Sequence, residues 1–407
     1  MKGICLLIDR LHIGYVGAYG NSWIETPSLD RLAVESFLLD RYWIDSPRLD
    51  VLYRSLWQGR HALAPAVPAE QEASLASLVS AAGVPTALVS DDPAVLEHGL
   101  GQDFGRRLLL PGAHTAELAD HWEESQLAGA FAELLQWLDT ADQDSLVWCH
   151  LGGLGAVWDA PYELRARYAA EGDPDPPPSA AVPALVLDAD YDPDLLLGIT
   201  QSYAGQITLL DRCLGAIVEW LETSPRGRDA LLLVASARGL PLGEHRLVGG
   251  EALSVHGEIA HVPAFLRLPG GEGAAARTQA LAEPADLWAT LLDWFGLAGS
   301  NDPRHGRSLL PVVRDEIAGV RDRLCIVGAG EERGIVTQAW FGRFADKAQL
   351  YLKPDDRWEV NDVADRCPQI VDALEAALRE AEERLSGRNT APWPALDDVL
   401  LPSDFGF

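Results

Sequence analysis

Several charged side chains in this chain follow directly on apolar, strand-like runs, and these are the groups best placed to do chemistry. The run Gly3–Ile8 ends in Asp9-Arg10, with His12 two residues on. Leu146–Cys149 ends in His150, and Leu232–Ser236 ends in Ala237-Arg238, with Gly243-Glu244-His245 shortly after. Ligands of open α/β sheets bind beyond the carboxyl ends of the strands, so residues in such positions can face one cleft. Arg10, Arg238, His150, His245 and Arg54 are cationic or become so on protonation. Forked guanidiniums suit sulfate, phosphate or carboxylate groups. A local positive pocket would stand out on a chain whose formal charge is −29. Asp50 supplies a carboxylate of the kind that forms covalent intermediates in some enzymes. Each reading has a plainer alternative. His150 can be a hydrogen-bonded strand-end residue, His245 can serve its loop, and Arg10 and Arg238 can pair internally with Asp9, Asp50 or Glu244 and fill the cavity.

The elements that would hold these groups are legible. Short apolar runs at Gly3–Ile8, Pro85–Ser90, Leu146–His150, Ala230–Ser236 and Val262–Leu268 alternate with helical patterns. That alternation implies an α/β fold with a mostly parallel central sheet and helices on both faces. Leu127, Ala130, Phe131, Leu134, Leu135 and Leu138 recur at helical spacing, as do Ile199, Tyr203, Ile207, Leu210, Leu214, Ile217 and Leu221. Pro284 suits the first turn of another helix carrying Leu287, Leu291 and Trp294. The proline-rich stretch 171–178 reads as a surface excursion near the site mouth, because proline lacks the donor that helices and central strands need. Past residue 298 the pattern changes. Strands at Gly334–Phe341 and Gln349–Lys353 and a charged amphipathic helix at Gln369–Leu385 predict a small α+β subdomain over 299–407, beside an α/β domain over 1–298.

Composition narrows the function classes. With 407 residues, 48% of them hydrophobic, the chain can build a large core. Its acidity argues against nucleic-acid partners and anionic membranes, which need Lys/Arg clusters. Gly3–Ile8 follows the first residue too closely for an export signal, and no apolar run is long enough to span a membrane, so a cytoplasmic location is expected. Cys5, Cys149, Cys213, Cys325 and Cys367 are scattered without metal-site or disulfide spacing. Cys5 and Cys149 are expected to be buried spectators.

Several motifs occur in a telling order. They are Gly3–Asp9, Tyr19-Gly-Asn, Thr26-Pro-Ser-Leu-Asp30, Ser46-Pro47 through Gly59-Arg60-His61, Trp158-Asp159-Ala160-Pro161, Leu232–Gly239 with Leu242-Gly-Glu-His245, His261-Val-Pro263, and Leu350-Tyr351 through Glu359–Asp365. From residue 3 to about 385 the chain resembles the sulfatase branch of the alkaline phosphatase superfamily.

In that family the first strand ends in two metal-binding aspartates, and a Cys or Ser nucleophile stands in a Cys/Ser-x-Pro-x-Arg motif. The resemblance puts Asp9-Arg10 at the aspartate pair, Leu49 at the nucleophile, Val51 and Tyr53 at the motif's proline and arginine, and Ala237-Arg238 at the later Asp-His/Asn pair. A metal-pocket lysine falls near Gly249-Gly250. A divalent cation needs several oxygen ligands, and of these only Asp9 remains. Leucine has no nucleophilic atom. The resemblance therefore implies an intact fold without the usual chemistry: no metal is expected, and calcium or magnesium would enter only if hydrolysis survives. Three functions stay open. One is a non-catalytic protein that binds a small anion in the altered cleft; another is a metal-independent hydrolase or transferase using Asp50 or His150. The third is a structural or oligomerisation role using Trp23, Trp43 or Trp57. The sequence leaves the oligomeric state open.

Overall fold

The structure, a computed structural model, describes residues 2–66, 72–112, 117–141, 144–297, 299, 305–388 and 392–401. The chain divides into two compact units. Met1–Asp40, Ala76–Ala252 and Pro263–Thr278 form the first, and Arg41–Leu75, Leu253–Val262 and Gln279–Phe407 form the second. Residue 298, where the sequence places a boundary, lies outside the described residues.

An eight-stranded sheet has the order β10-β2-β9-β7-β1-β5-β3-β4. Its strands are β1 (Lys2–Ile8), β2 (Phe37–Tyr42), β3 (Thr86–Ser90), β4 (Arg106–Leu109), β5 (Ser145–Leu151), β7 (Ala230–Ser236), β9 (Ala264–Arg267) and β10 (Arg277–Ala282). The β7-β1-β5-β3-β4 part is parallel, and β9 runs antiparallel to both β7 and β2. The expected mostly parallel α/β sheet is therefore present. All seven residues of β1, β5 and β7 are buried. Burial on both faces explains why these strands read as unbroken apolar runs rather than alternating ones. A pair of short strands, β6 (Ala184–Val186) and β8 (Leu247–Gly249), forms a separate ribbon.

Register decides what can meet at the strand ends. Ile8 of β1 lies opposite Leu151 of β5 and Ser236 of β7. Asp9, Gly152 and Ala237 thus leave the sheet at one level. The helix Pro193–Thr223 carries Ile199, Tyr203, Ile207, Leu210, Leu214, Ile217 and Leu221 into the same core as β1, β5 and β7. Asp192 caps it by accepting from Asp194 N. The proline-rich stretch is tied to this unit through Arg165, whose Nη1 donates to the carbonyls of Pro177 (2.6 Å) and Ser179 (2.9 Å).

In the second unit, β11 (Arg323–Val327), β12 (Arg333–Thr337), β13 (Trp340–Phe344) and β14 (Gln349–Leu352) form an antiparallel sheet. The helix Pro368–Leu385 buries Ile370, Leu374, Leu378, Ala381 and Leu385 in a core shared with Cys325, Ile335 and Leu350. The single strand expected at Gly334–Phe341 is instead a hairpin. It turns after Thr337, whose hydroxyl accepts from Trp340 N at 3.1 Å.

All five cysteines are free, and all but Cys367 are buried. Among the described residues no helix is long and apolar enough to cross a membrane. Trp43 (2% exposed) and Trp57 (0%) are core residues, so of the three tryptophans considered for association only Trp23 (42%) reaches the surface.

Candidate functional site

The strand ends of the first unit build a compact, tightly bonded cluster. Asp9 N donates to Leu151 O at 2.8 Å, Arg10 N to Arg238 O at 2.7 Å, and Ala237 N to Ile8 O at 3.2 Å. The Ser236 hydroxyl donates to Arg238 O at 2.7 Å, and the Tyr203 hydroxyl to Arg10 O at 2.6 Å. The backbone of β1, β5 and β7 thus fixes Asp9, Arg10 and Arg238 with little freedom. Arg10 has φ 68°, a left-handed conformation that a long side chain adopts only when its surroundings over-determine it.

The side chains form a charge cluster around Asp9. Arg238 grips the Asp9 carboxylate in a fork, with Nε at 2.9 and 3.2 Å from the two oxygens and Nη2 at 3.0 Å from Oδ2. Arg10 Nε lies 3.8 Å from the same Oδ2. Burial alone would push the Asp9 carboxyl up; Arg238 and Arg10 overcome it and hold the group below its ordinary value. Burial pulls Arg10 below the ordinary guanidinium range, against the attraction of Asp9. Arg10 is 4% exposed, and its Nη1 has no hydrogen-bond partner among the described residues. Gly155 makes room for this side chain, because a Cβ there would sit 3.0 Å from Arg10 Cγ. Of the three partners considered for the arginines, Asp9 pairs with both.

His150 joins the cluster electrostatically but not as a cation. It is fully buried, and burial lowers its pKa more than Asp9 and Asp92 raise it. Burial of this kind favours the neutral imidazole over the cation. Glu244 lies 3.3 Å from His12 Nε2. Burial acts to raise the Glu244 carboxyl, yet its bonds to His12 and to Leu242 N lower it to about 2. His245 sits at φ 49° in the one-turn helix Glu244–Arg246. Gly249, near the expected lysine position, has φ 58°, and a Cβ there would lie 1.9 Å from Pro183 O. The β6–β8 ribbon therefore demands glycine at that point.

Leu49 and Asp50 open the helix Leu49–Gln58 in the second unit. Asp50 is exposed and forks with Arg48, two residues away, at 3.2 and 2.8 Å. This neighbour holds its carboxyl below the usual value against the opposing effect of burial. An acceptor so occupied is a poor nucleophile. Tyr53 is buried and stacks on Trp57 at 4.0 Å between ring centroids. Arg54 Nη2 donates to Ala64 O at 2.5 Å, while its Nε has no hydrogen-bond partner among the described residues.

Sequence reasoning passed over three carboxyls as site candidates, the buried Asp45 and Asp159 and the partly buried Asp91. Asp45, in the second unit, accepts from Ala62 N at 2.7 Å and from the Ser55 hydroxyl, and burial raises its pKa. Asp91 and Asp159 lie in the first unit. Asp91-Asp92 follow β3 just as Asp9 follows β1, which is a signal the strand-end rule could have found.

A divalent cation requires oxygen ligands that are free to turn toward it. Both oxygens of Asp9 are already engaged by Arg238. Arg10, Ala237 and Arg238, at the other positions the resemblance assigns to metal binding, offer no oxygen donor in their side chains. The residues present do not fit a family-type metal.

Comparison with known proteins places these features. The multifunctional alkaline phosphatase superfamily protein PehA of Trinickia caryophylli is 31% identical over 117 residues, covering 28% of this chain and 22% of that protein. The phosphonate monoester hydrolase of Agrobacterium radiobacter superposes with a TM-score of 0.76 at 19% identity, covering 94% of this chain and 96% of its own. A 2-O GAG sulfatase superposes at 0.74 and 17%, covering 97% and 94%. The phosphonate monoester hydrolase SpPMH of Silicibacter pomeroyi gives 0.70 and 16%, covering 95% of each. At such identities these structures speak for the fold. The sulfatase family model matches residues 3–297, most of the chain, and the protein belongs to the sulfatase family.

Proposed function

We propose that this sulfatase-family protein does not hydrolyse sulfuric esters, and that it acts as a binding protein on a retained hydrolase scaffold. The observation that carries this reading is the fork between Arg238 and Asp9. The one carboxylate left from the family's metal set is neutralised by a guanidinium, which does the electrostatic work of a cation without its Lewis acidity. Leu49 adds nothing that could attack an ester, and the neighbouring Asp50 is exposed and paired with Arg48. The test is incubation with aryl sulfate and aryl phosphate monoesters. Turnover above a no-enzyme control that disappears in Asp50→Ala or His150→Ala would establish the alternative, a metal-independent hydrolase or transferase.

The binding reading has a specific form. Among the described residues the buried Arg10 Nη1 has no hydrogen-bond partner, and the Asp9–Arg10–Arg238 group carries a surplus of one positive charge. A small anion such as sulfate, phosphate or a carboxylate would satisfy both. Sulfate should then raise the melting temperature of the wild type and leave Arg10→Met unmoved. Equal shifts in both proteins would remove the anion from the account.

A further inference from the structure

A pocket of about 300 Å³ opens in the first unit at the carboxyl ends of β3 and β5. Asp91, Asp92, Asp159, Gln126, Gln206 and Gly153 contribute to its wall, and among the described residues no lysine or arginine lines it. The three carboxylates are held in place from outside. Asp91 Oδ1 accepts from Gly152 N at 2.7 Å, Asp92 Oδ1 from Ala94 N at 2.8 Å, and Asp159 Oδ2 from Gln126 N at 2.7 Å. Asp159 is 2% exposed, and its Oδ1 has no hydrogen-bond partner among the described residues. Arg165 feels the Asp159 charge, yet its Nη1 and Nη2 donate to the carbonyls of Trp158, Pro177 and Ser179 and to the Ser202 hydroxyl, and its Nε makes no hydrogen bond to Asp159 or to any other described residue. A buried carboxylate oxygen left in this state calls for a donor from outside the chain.

We propose that this pocket binds a small organic cation, a primary amine or diamine whose ammonium group donates to Asp159 Oδ1 while Asp91 and Asp92 supply further negative charge. An ammonium brings three donors, which suits carboxylates spread along a wall. The volume is at the lower end for small-molecule sites, so the ligand is compact. Burial drives the Asp91 carboxyl up to about 6, and the charges of Asp92 and Asp9 add to this. A bound cation relieves that repulsion. None of the pocket residues belongs to the Asp9–Arg10–Arg238 cluster, so the inference stands or falls separately from the loss of hydrolysis.

The experiment is calorimetric titration of the full chain with 1,4-diaminobutane at pH 8. The control is Asp194→Asn, which removes the same charge from an exposed position far along the chain. The expected result is saturable one-to-one binding, weakened about tenfold or more by Asp159→Asn, weakened also by Asp91→Asn, and unchanged in Asp194→Asn. Should Asp159→Asn fail to fold, Asp91→Asn decides. The inference is overturned if the wild type shows no saturable binding, or if the control loses as much as the pocket variants. It is equally overturned if calcium takes the site and the diamine cannot displace it.

Discussion

Replacing Arg238 with alanine isolates the interaction on which the functional account depends. In the protein the Asp9 side chain is 6% exposed and that of Arg238 is 11% exposed, with Nε 2.9 Å from Oδ1. Two unit charges roughly 3 Å apart attract by about 5 kcal/mol at an effective dielectric near 20. Part of that is offset by desolvation, and breaking a buried pair from one side costs about 3–5 kcal/mol. Arg10, 3.8 Å from Asp9, remains as a weaker partner and places the expected loss at the low end, about 3 kcal/mol. Urea unfolding at pH 7.5, followed by tryptophan fluorescence, measures it as a fall in the transition midpoint. Adding Asp9→Asn to Arg238→Ala removes the stranded charge and should recover about 2 kcal/mol. The pH dependence has a definite sign. The folded Asp9 carboxyl lies below its unfolded value, so its stabilisation is present above the ordinary carboxylate range and is lost as pH falls through the folded value. The gap between wild type and Arg238→Ala should therefore narrow below about pH 4. A loss under about 1 kcal/mol, the level of an exposed pair, would refute the reasoning. So would an Asp9→Asn change that destabilises the Arg238→Ala protein further.

Asp91 should behave in the opposite way. Its carboxyl is raised to about 6, so its ionised form opposes folding above that pH and the penalty disappears as the group protonates. Asp91→Asn keeps an acceptor for Gly152 N and should stabilise by up to about 3 kcal/mol at pH 8, with no gain near pH 4, in paired thermal melts. Gly249→Ala should destabilise by about 2 kcal/mol or more, because φ 58° and the contact with Pro183 O both exclude a Cβ; a neutral melt would show that the ribbon adjusts. Asp50→Ala removes an exposed pair with Arg48 and should change stability by less than about 0.5 kcal/mol. A larger effect in urea would mean that Asp50 has a role beyond that pair.

Much of the scaffold could be read from the residues, and the reason is physical. The buried parallel strands appear in the sequence as continuous apolar runs, and β1, β3, β5 and β7 were located to within about one residue for that reason. The helix Pro193–Thr223 announced itself by periodicity. The hairpin of β12 and β13 did not, since Gln338-Ala339 carries none of the glycine, proline or asparagine that usually marks a turn, and Thr337 supplies the turn bond instead. At the site, motif order indicated which residues stand at the strand ends. It could not choose among Asp9, Asp50 and Glu244 as partners for the arginines, because that choice depends on Ile8 lying opposite Ser236. Burial likewise separates His150 from the cations it was grouped with. Asp91 and Asp92 stand at the end of β3 as Asp9 stands at the end of β1, whereas Asp159 lies in a loop whose motif does not reveal that its carboxylate faces a pocket.

The most direct test of the central claim is the metal content of the purified protein. Samples prepared without chelator, then equilibrated with calcium and magnesium and freed of excess, should retain neither ion stoichiometrically by mass spectrometry, in wild type and Asp9→Asn alike. One tightly held equivalent of either ion in the wild type, lost in Asp9→Asn, would contradict the account and return Asp9 to the role of metal ligand.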